Sequence, residues 1–273
     1  LLPPFAPKGP FASTLALKAE VHRDDNDDLG DIEQTAVTDI HVALQKQLRA
    51  IRNGHGRSED EIIASIETIL AANSEDLLTA VATLLTSGTE AGGAMVADTL
   101  IGTGISVDWA LADAAASEFV QGYSFDLVTG INNTTATRLR GVLRSWIEQG
   151  GDMEELANSI RPIFANEPAT ARIEAIFNVD RAQMIAETEA TRAYAEGKVA
   201  GYMASGLADL PPERKPPDDS HVRCRCDVTL EKQENGEWHW IWLTANDELV
   251  CDICGPLHEQ SVGLAKEAYV VAA

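Results

Sequence analysis

Cysteine is nearly missing from this chain, and what there is sits in one place. There are four cysteines in 273 residues, all between Cys224 and Cys254. Aromatic residues are also few, 5% of the total. With alanine abundant, that shortage favours helices over a β-sandwich. Basic residues number 21 against 43 acidic ones, a formal charge of −22. A broad DNA-binding surface needs Lys and Arg to neutralise phosphates, so this balance argues against one. It favours a soluble protein whose partner is basic, or one that packs through local apolar faces. No run of roughly 18 apolar residues exists, which excludes a membrane-spanning helix. The start, Leu1-Leu2-Pro3-Pro4-Phe5-Ala6-Pro7, has neither a basic region leading into a long apolar run nor an initiator Met. It makes a poor signal peptide. A trimmed chain or a piece of a longer polypeptide would both look like this. Without a secretion signal, reduced cysteines are expected rather than disulfides.

The length suits one large or two ordinary domains, and 45% hydrophobic residues can fill their cores. The expected layout is an extended Pro-rich and acidic arm over 1–30, a helical domain over 31–130, and a second domain over 131–273. The Asp24-Asp25-Asn26-Asp27-Asp28 run lacks the spacing and closing Glu of a calcium loop and reads as a solvated linker. Ile32, Val37, Ile40, Leu44 and Leu48 keep helical spacing. After a break at Asn53-Gly54-His55-Gly56, Ser58 and Glu61 form a capping box for a helix buried through Ile62, Ile63, Ile66, Ile69 and Leu70. Ser74 is expected to cap a third helix that Gly88 ends. Gly102-Thr103-Gly104 lacks the Gly-Lys-Ser/Thr of a phosphate loop and reads as a turn. Asp108 to Gln121 reads as a helix. Thr134 or Thr135 is expected to cap another, stopped by Gly150-Gly151, and Asp152 a further one through Met153, Leu156, Ile160 and Ile163. Arg172 to Met203 makes one or two more.

The chemistry concentrates between His221 and His258. His221-Val222-Arg223-Cys224-Arg225-Cys226 is followed by 24 residues and then Cys251-Asp252-Ile253-Cys254. Two tight Cys pairs around a hairpin-sized insert are what a structural Zn²⁺ site needs, because each pair supplies two soft ligands from one turn of backbone. The insert carries Asn235-Gly236, a strong hairpin signal. Trp238, Trp240 and Trp242 then recur at period two and share one strand face. Cys224, Cys226, Cys251 and Cys254 are the simplest ligand set. His221 can replace Cys224 or Cys226, and His258 is a third candidate. A redox Cys-x-x-Cys lacks a thioredoxin-like setting here, and structural disulfides are the other rival. A full thiolate shell leaves no open position for water, so the metal is expected to be structural. The fold class is therefore mostly α, a helical body with a small C-terminal zinc-stabilised β-hairpin module resembling a zinc ribbon. In "RAQMIAETEATRAYAEG", Met184, Ile185, Thr188 and Thr191 or Arg192 lie on one side, and Arg181, Glu189 and Arg192 are placed to pair. No second carboxylate, nucleophile or base stands beside Glu189 in sequence, so an ion-pair network locking this helix to the metal module is expected rather than catalysis.

Taken together, His-x-x-Cys-Arg-Cys, the Trp-bearing strand, "LTANDELVCDICGPLHEQ" and "RAQMIAETEATRAYAEG" resemble the Mu F-like phage head morphogenesis proteins, over roughly residues 130 to 263. In many members Cys-x-x-Cys comes first and His-x-x-Cys-Arg-Cys last, whereas here the order is reversed. The resemblance implies a non-enzymatic minor capsid protein, assembled in the host cytoplasm and housed in the virion near the portal vertex. Its role would be in head assembly or genome ejection. The implied partners are the portal protein and the major capsid or scaffolding protein. It also implies that Arg181, Thr188, Glu189 and Arg192 form the signature helix. Two other classes remain open: a Mu F-like module of a phage-borne toxin or hydrolase, and a zinc-ribbon nucleic-acid module suggested by Arg223, Arg225 and the three tryptophans.

Overall fold

The computed structural model of the chain describes residues 27–53, 59–148, 168–244 and 250–268. Among these residues six helices come first: α1 (Asp27–Asn53), α2 (Glu59–Ala72), α3 (Glu75–Leu100), α4 (Trp109–Glu148), α5 (Pro168–Ile176) and α6 (Val179–Ala204). Three strands follow, β1 (Asp227–Lys232), β2 (Trp238–Leu243) and β3 (Ser261–Lys266). The mostly helical body and the small C-terminal β element are both as expected. The sheet is larger than a hairpin, because β3 adds to β2 and gives the antiparallel order β1-β2-β3. The arm up to Asn26, the Ser58 cap, the Gly150-Gly151 stop and the helix expected from Asp152 lie outside the described residues.

By internal contacts the chain forms two compact units, each assembled from distant stretches. One is Ile32–Leu84 with Val120–Ala186; the other is Leu85–Phe119 with Glu187–Ala273 and the residues up to Asp31. Residue 130 lies inside α4. The first unit buries the apolar stripe of α1 (Ile40, Leu44, Leu48) and also Ile66, Leu70, Leu77, Val81, Leu139 and Leu143. This is the 3.6-residue periodicity of the sequence turned into a core. Arg181 is buried in this unit as well. Its guanidinium donates to Thr135 Oγ1 at 2.9 Å, to Ile176 O at 2.7 Å and to Ile131 O at 3.2 Å.

Two helix ends and one side-chain cap differ from expectation. Gly88 does not stop α3, which continues through Gly92 and Gly93 to Leu100. Thr134 and Thr135 start no new helix, since α4 runs unbroken for 40 residues. Their hydroxyls donate back to the carbonyls of Gly130 (2.9 Å) and Ile131 (2.7 Å), the mid-helix alternative to capping. Ser74 sits just ahead of α3, but its hydroxyl donates to Ala71 O at 2.8 Å rather than receiving a first-turn N–H.

Gly88 and Gly92 are helical for a packing reason, and the reason lies within the second unit. A methyl group on Gly92 would stand 2.1 Å from Tyr194 O, and one on Gly197 would stand 2.1 Å from Thr89 O. Two helix backbones approach that closely only where side chains are absent. The crossing presents Val96 and Leu100 of α3 and Val199 and Tyr202 of α6 to the sheet, where they share a core with Val228, Leu230, Trp238, Trp240 and Trp242. The period-two tryptophans are thus the inner face of β2. Trp240 lies edge-on to Tyr202, with ring centroids 5.9 Å apart, and its indole N–H donates to Leu210 O at 2.8 Å. The hairpin turns at Gly236, whose φ of 90° suits glycine.

Candidate metal centre

The second Cys of the first pair, Cys226, immediately precedes β1, and the hairpin returns the chain so that the second pair meets the first. Cys224 Sγ and Cys254 Sγ end 3.9 Å apart. A tetrahedral Zn²⁺ with Zn–S bonds of about 2.3 Å has edges of about 3.8 Å, so the spacing fits one ion between two thiolates. Among the described residues, His221, Cys224 and Cys254 offer ligand atoms all within 4.8 Å of one another, and this cluster can hold a metal ion. Cys226 and Cys251 flank the cluster. Cys226 acts electrostatically on Cys224 and Cys254, and Cys251 on Cys254 and His221. All four cysteines are free thiols.

The backbone is arranged to serve sulfur. Cys226 N–H points at Cys224 Sγ (3.5 Å) and Cys254 N–H at Cys251 Sγ (3.4 Å). The Cys251–Cys254 turn is closed by the N–H groups of Cys254 and Gly255 on Cys251 O, at 3.1 and 2.9 Å. Such donors stabilise the charged form of a ligand. His221 Nδ1 lies 2.7 Å from Val222 O. A donor at Nδ1 leaves Nε2 as the ligating nitrogen, the usual tautomer lock of a metal-bound histidine. His258 is used elsewhere, with Nδ1 accepting from Thr244 N–H at 3.2 Å.

The electrostatics of the thiols point the same way. Cys224 is brought down to about 5, first by its hydrogen bond with Cys226, then by Ser220 and the Cys226 N–H, against the opposing effect of burial. Cys226 is pushed up by that same hydrogen bond and by burial. Cys254 is pushed up to about 12 by burial and by the Cys224 charge. One thiolate therefore suppresses its neighbours, as like charges sharing a site must. Only a cation in their midst would let several ionise together, because a coordinating thiol is deprotonated outright.

The loop carrying His221 and Cys224 is fastened to α6. Thr188 Oγ1 accepts the Arg223 N–H at 2.9 Å, and Thr191 Oγ1 donates to Cys224 O at 2.6 Å. Arg223, at a φ of 60°, also pairs with Glu187 at 3.3 Å. Arg192 bridges Glu189, at 2.8 Å, and Asp218 in the loop ahead of His221. Thr188, Glu189 and Arg192 thus belong to the setting of the cluster. Neither the chain nor any part of it matches a family model, a curated protein or a solved structure. Sequence reasoning did not anticipate the parts played by Glu187 and Asp218. Nothing marked Asp218 among the acids of its Pro-rich loop, whereas Glu187 lies one helical turn from Thr191, which was already on the expected face. Arg181 stands apart, bound to a hydroxyl and two carbonyls in the other unit. Burial, and to a lesser degree Arg138, lowers it to about 10. The three tryptophans are buried and present no faces on which bases could stack.

Proposed function

We propose that this chain is a phage minor head protein whose C-terminal module is held by one structural Zn²⁺. The observation that carries the reading is that the two motifs behind the family resemblance meet in space. Thr188 and Thr191 of the α6 stretch hydrogen-bond the backbone of Arg223 and Cys224 in the His-x-x-Cys-Arg-Cys stretch. Residues that would be unrelated in an arbitrary chain here form one connected unit. Zinc suits the donor set, which is sulfur and imidazole with a 3.9 Å sulfur–sulfur edge. Cys224, Cys226 and Cys254, with Cys251 or His221, would hold it, and a closed shell gives it a folding role rather than a catalytic one. The partner is the portal protein, with the major capsid or scaffolding protein as a further contact. The place is the portal vertex inside the head.

The experiment is to purify heads and count this chain against the portal by quantitative mass spectrometry, for the wild type and for a Cys251→Ser/Cys254→Ser variant. Low-copy wild-type chain in heads, and its loss in the variant, is the expected result. Absence of the wild-type chain from purified heads would end the assignment. A Glu189→Gln variant that remains stable and incorporated while its particles are non-infectious would reopen a chemical role for that carboxylate.

A further inference from the structure

The second unit carries a groove that the metal module does not use. It has a volume of about 340 Å³ and lies between α3, the start of α4 and α6. Small residues make up much of its lining: Gly93, Ala94, Ala97, Ala112, Ala116 and Gly197. Side chains this small leave a trough into which another helix can sink. At the side stands Trp109, a large apolar residue left 44% exposed. Glu90 and Asp113 also line the groove, both are exposed, and neither makes an ion pair among the described residues. The rest of the rim gives these acids no cation, and the chain as a whole carries a charge of −22.

We propose that this groove receives a basic amphipathic helix of another protein, with an Arg or Lys head placed between Trp109 and the carboxylates of Glu90 and Asp113. Each part has its chemical counterpart. The Ala/Gly lining accepts the apolar stripe of a helix, as in helix-in-groove recognition. The indole face attracts a cation, and Arg-with-Trp pairs are favoured anchors of interfaces. The two acids, which make no ion pair among the described residues, add charge complementarity, which sets orientation and rejects acidic partners. A second copy of this chain is disfavoured on the same ground, since two bodies of charge −22 repel. The inference stands on the groove alone and does not depend on the metal or the head assignment.

The test uses the full chain and two synthetic helical peptides. One has an Ala/Leu stripe flanked by Arg and Lys; the other has the same stripe flanked by Glu. Binding is read by fluorescence anisotropy at low and physiological salt, and by the emission of the protein's tryptophans. A photo-reactive leucine in the stripe locates the contact. The expected result is that only the basic peptide binds, that it crosslinks to α3, α4 or α6 beside the groove, and that salt weakens it. The Glu90→Lys/Asp113→Lys variant, altered only at exposed positions, should bind the basic peptide at least tenfold more weakly and gain affinity for the acidic one. Trp109→Ala should weaken the basic peptide without that reversal. Equal binding of both peptides, crosslinks elsewhere, no binding of the basic peptide at low salt, or a wild-type chain that dimerises through this groove would each overturn the proposal.

Discussion

At the scale of single residues the metal cluster was largely legible, because ligand chemistry is tied to residue type. Soft donors are rare in this chain, so their grouping stands out. The sequence could not tell which histidine joins them. His221 and His258 flank the cysteines alike in sequence, but only His221 faces them, while His258 accepts from Thr244. Nor could it show the support behind the ligands. Thr191 reads as an ordinary helix-face residue, yet its hydroxyl holds the Cys224 carbonyl. Groups one step behind a ligand fix its orientation, and losing one typically costs about 10–100-fold in metal affinity. Competition titration with a chromophoric chelator should therefore show Thr191→Val binding zinc at about one-tenth to one-hundredth of the wild-type affinity, with unchanged far-UV circular dichroism. Cys254→Ser should lose stoichiometric zinc, and chelation of the wild type should lower its Tm, since metal binding is coupled to folding. Wild-type protein that carries no metal and melts at the same temperature with or without chelator would remove zinc from the account.

At the scale of elements, existence was readable and extent was not. Apolar periodicity exposes a helix wherever one face is buried. Where a helix ends was misjudged at Gly88 and at Thr134 and Thr135, because local chemistry was read without its neighbours. A glycine weakens a helix in isolation. In α3 the cost is offset by a backbone approach to α6 that no other residue permits. The pairing of β3 was unreadable for the opposite reason. Ser-Val-Gly-Leu-Ala-Lys has weak strand propensity and gains its place by pairing with β2. The glycines give a paired prediction. Gly92→Ala forces a methyl to within 2.1 Å of Tyr194 O and should cost about 1–3 kcal/mol or more by denaturant melting. Gly122→Ala, in α4 with nothing within 4 Å of the added methyl, should instead stabilise by about 0.5–1 kcal/mol. Equal effects at the two sites would mean that the α3–α6 crossing is not packed as described.

At the scale of the whole molecule, charge was the clearest sequence signal and chain organisation the least clear. Each compact unit is built from segments far apart in sequence, with α3, α4 and α6 each contributing residues to both. Composition shifts along a chain cannot reveal a division of that kind. The charge of −22, with the tryptophans buried, leads to weak binding of naked duplex DNA at physiological salt. A filter or anisotropy assay should find no tight complex, and a steep salt dependence of binding would contradict this expectation. The small sheet bears on the same question of what the molecule attaches to. Beside β3, the N–H groups of Asp209 and Leu210 donate to Ala265 O, and that of Glu213 donates to Val262 O. The Pro-rich loop therefore lies along the outer side of β3 as a strap. An open strand edge is a template for adding another chain, and aggregation and fibre growth begin there. This protein closes that side of its sheet from within, at a segment whose own prolines could not extend the ladder further. Such a strap keeps the sheet a terminus rather than a seed.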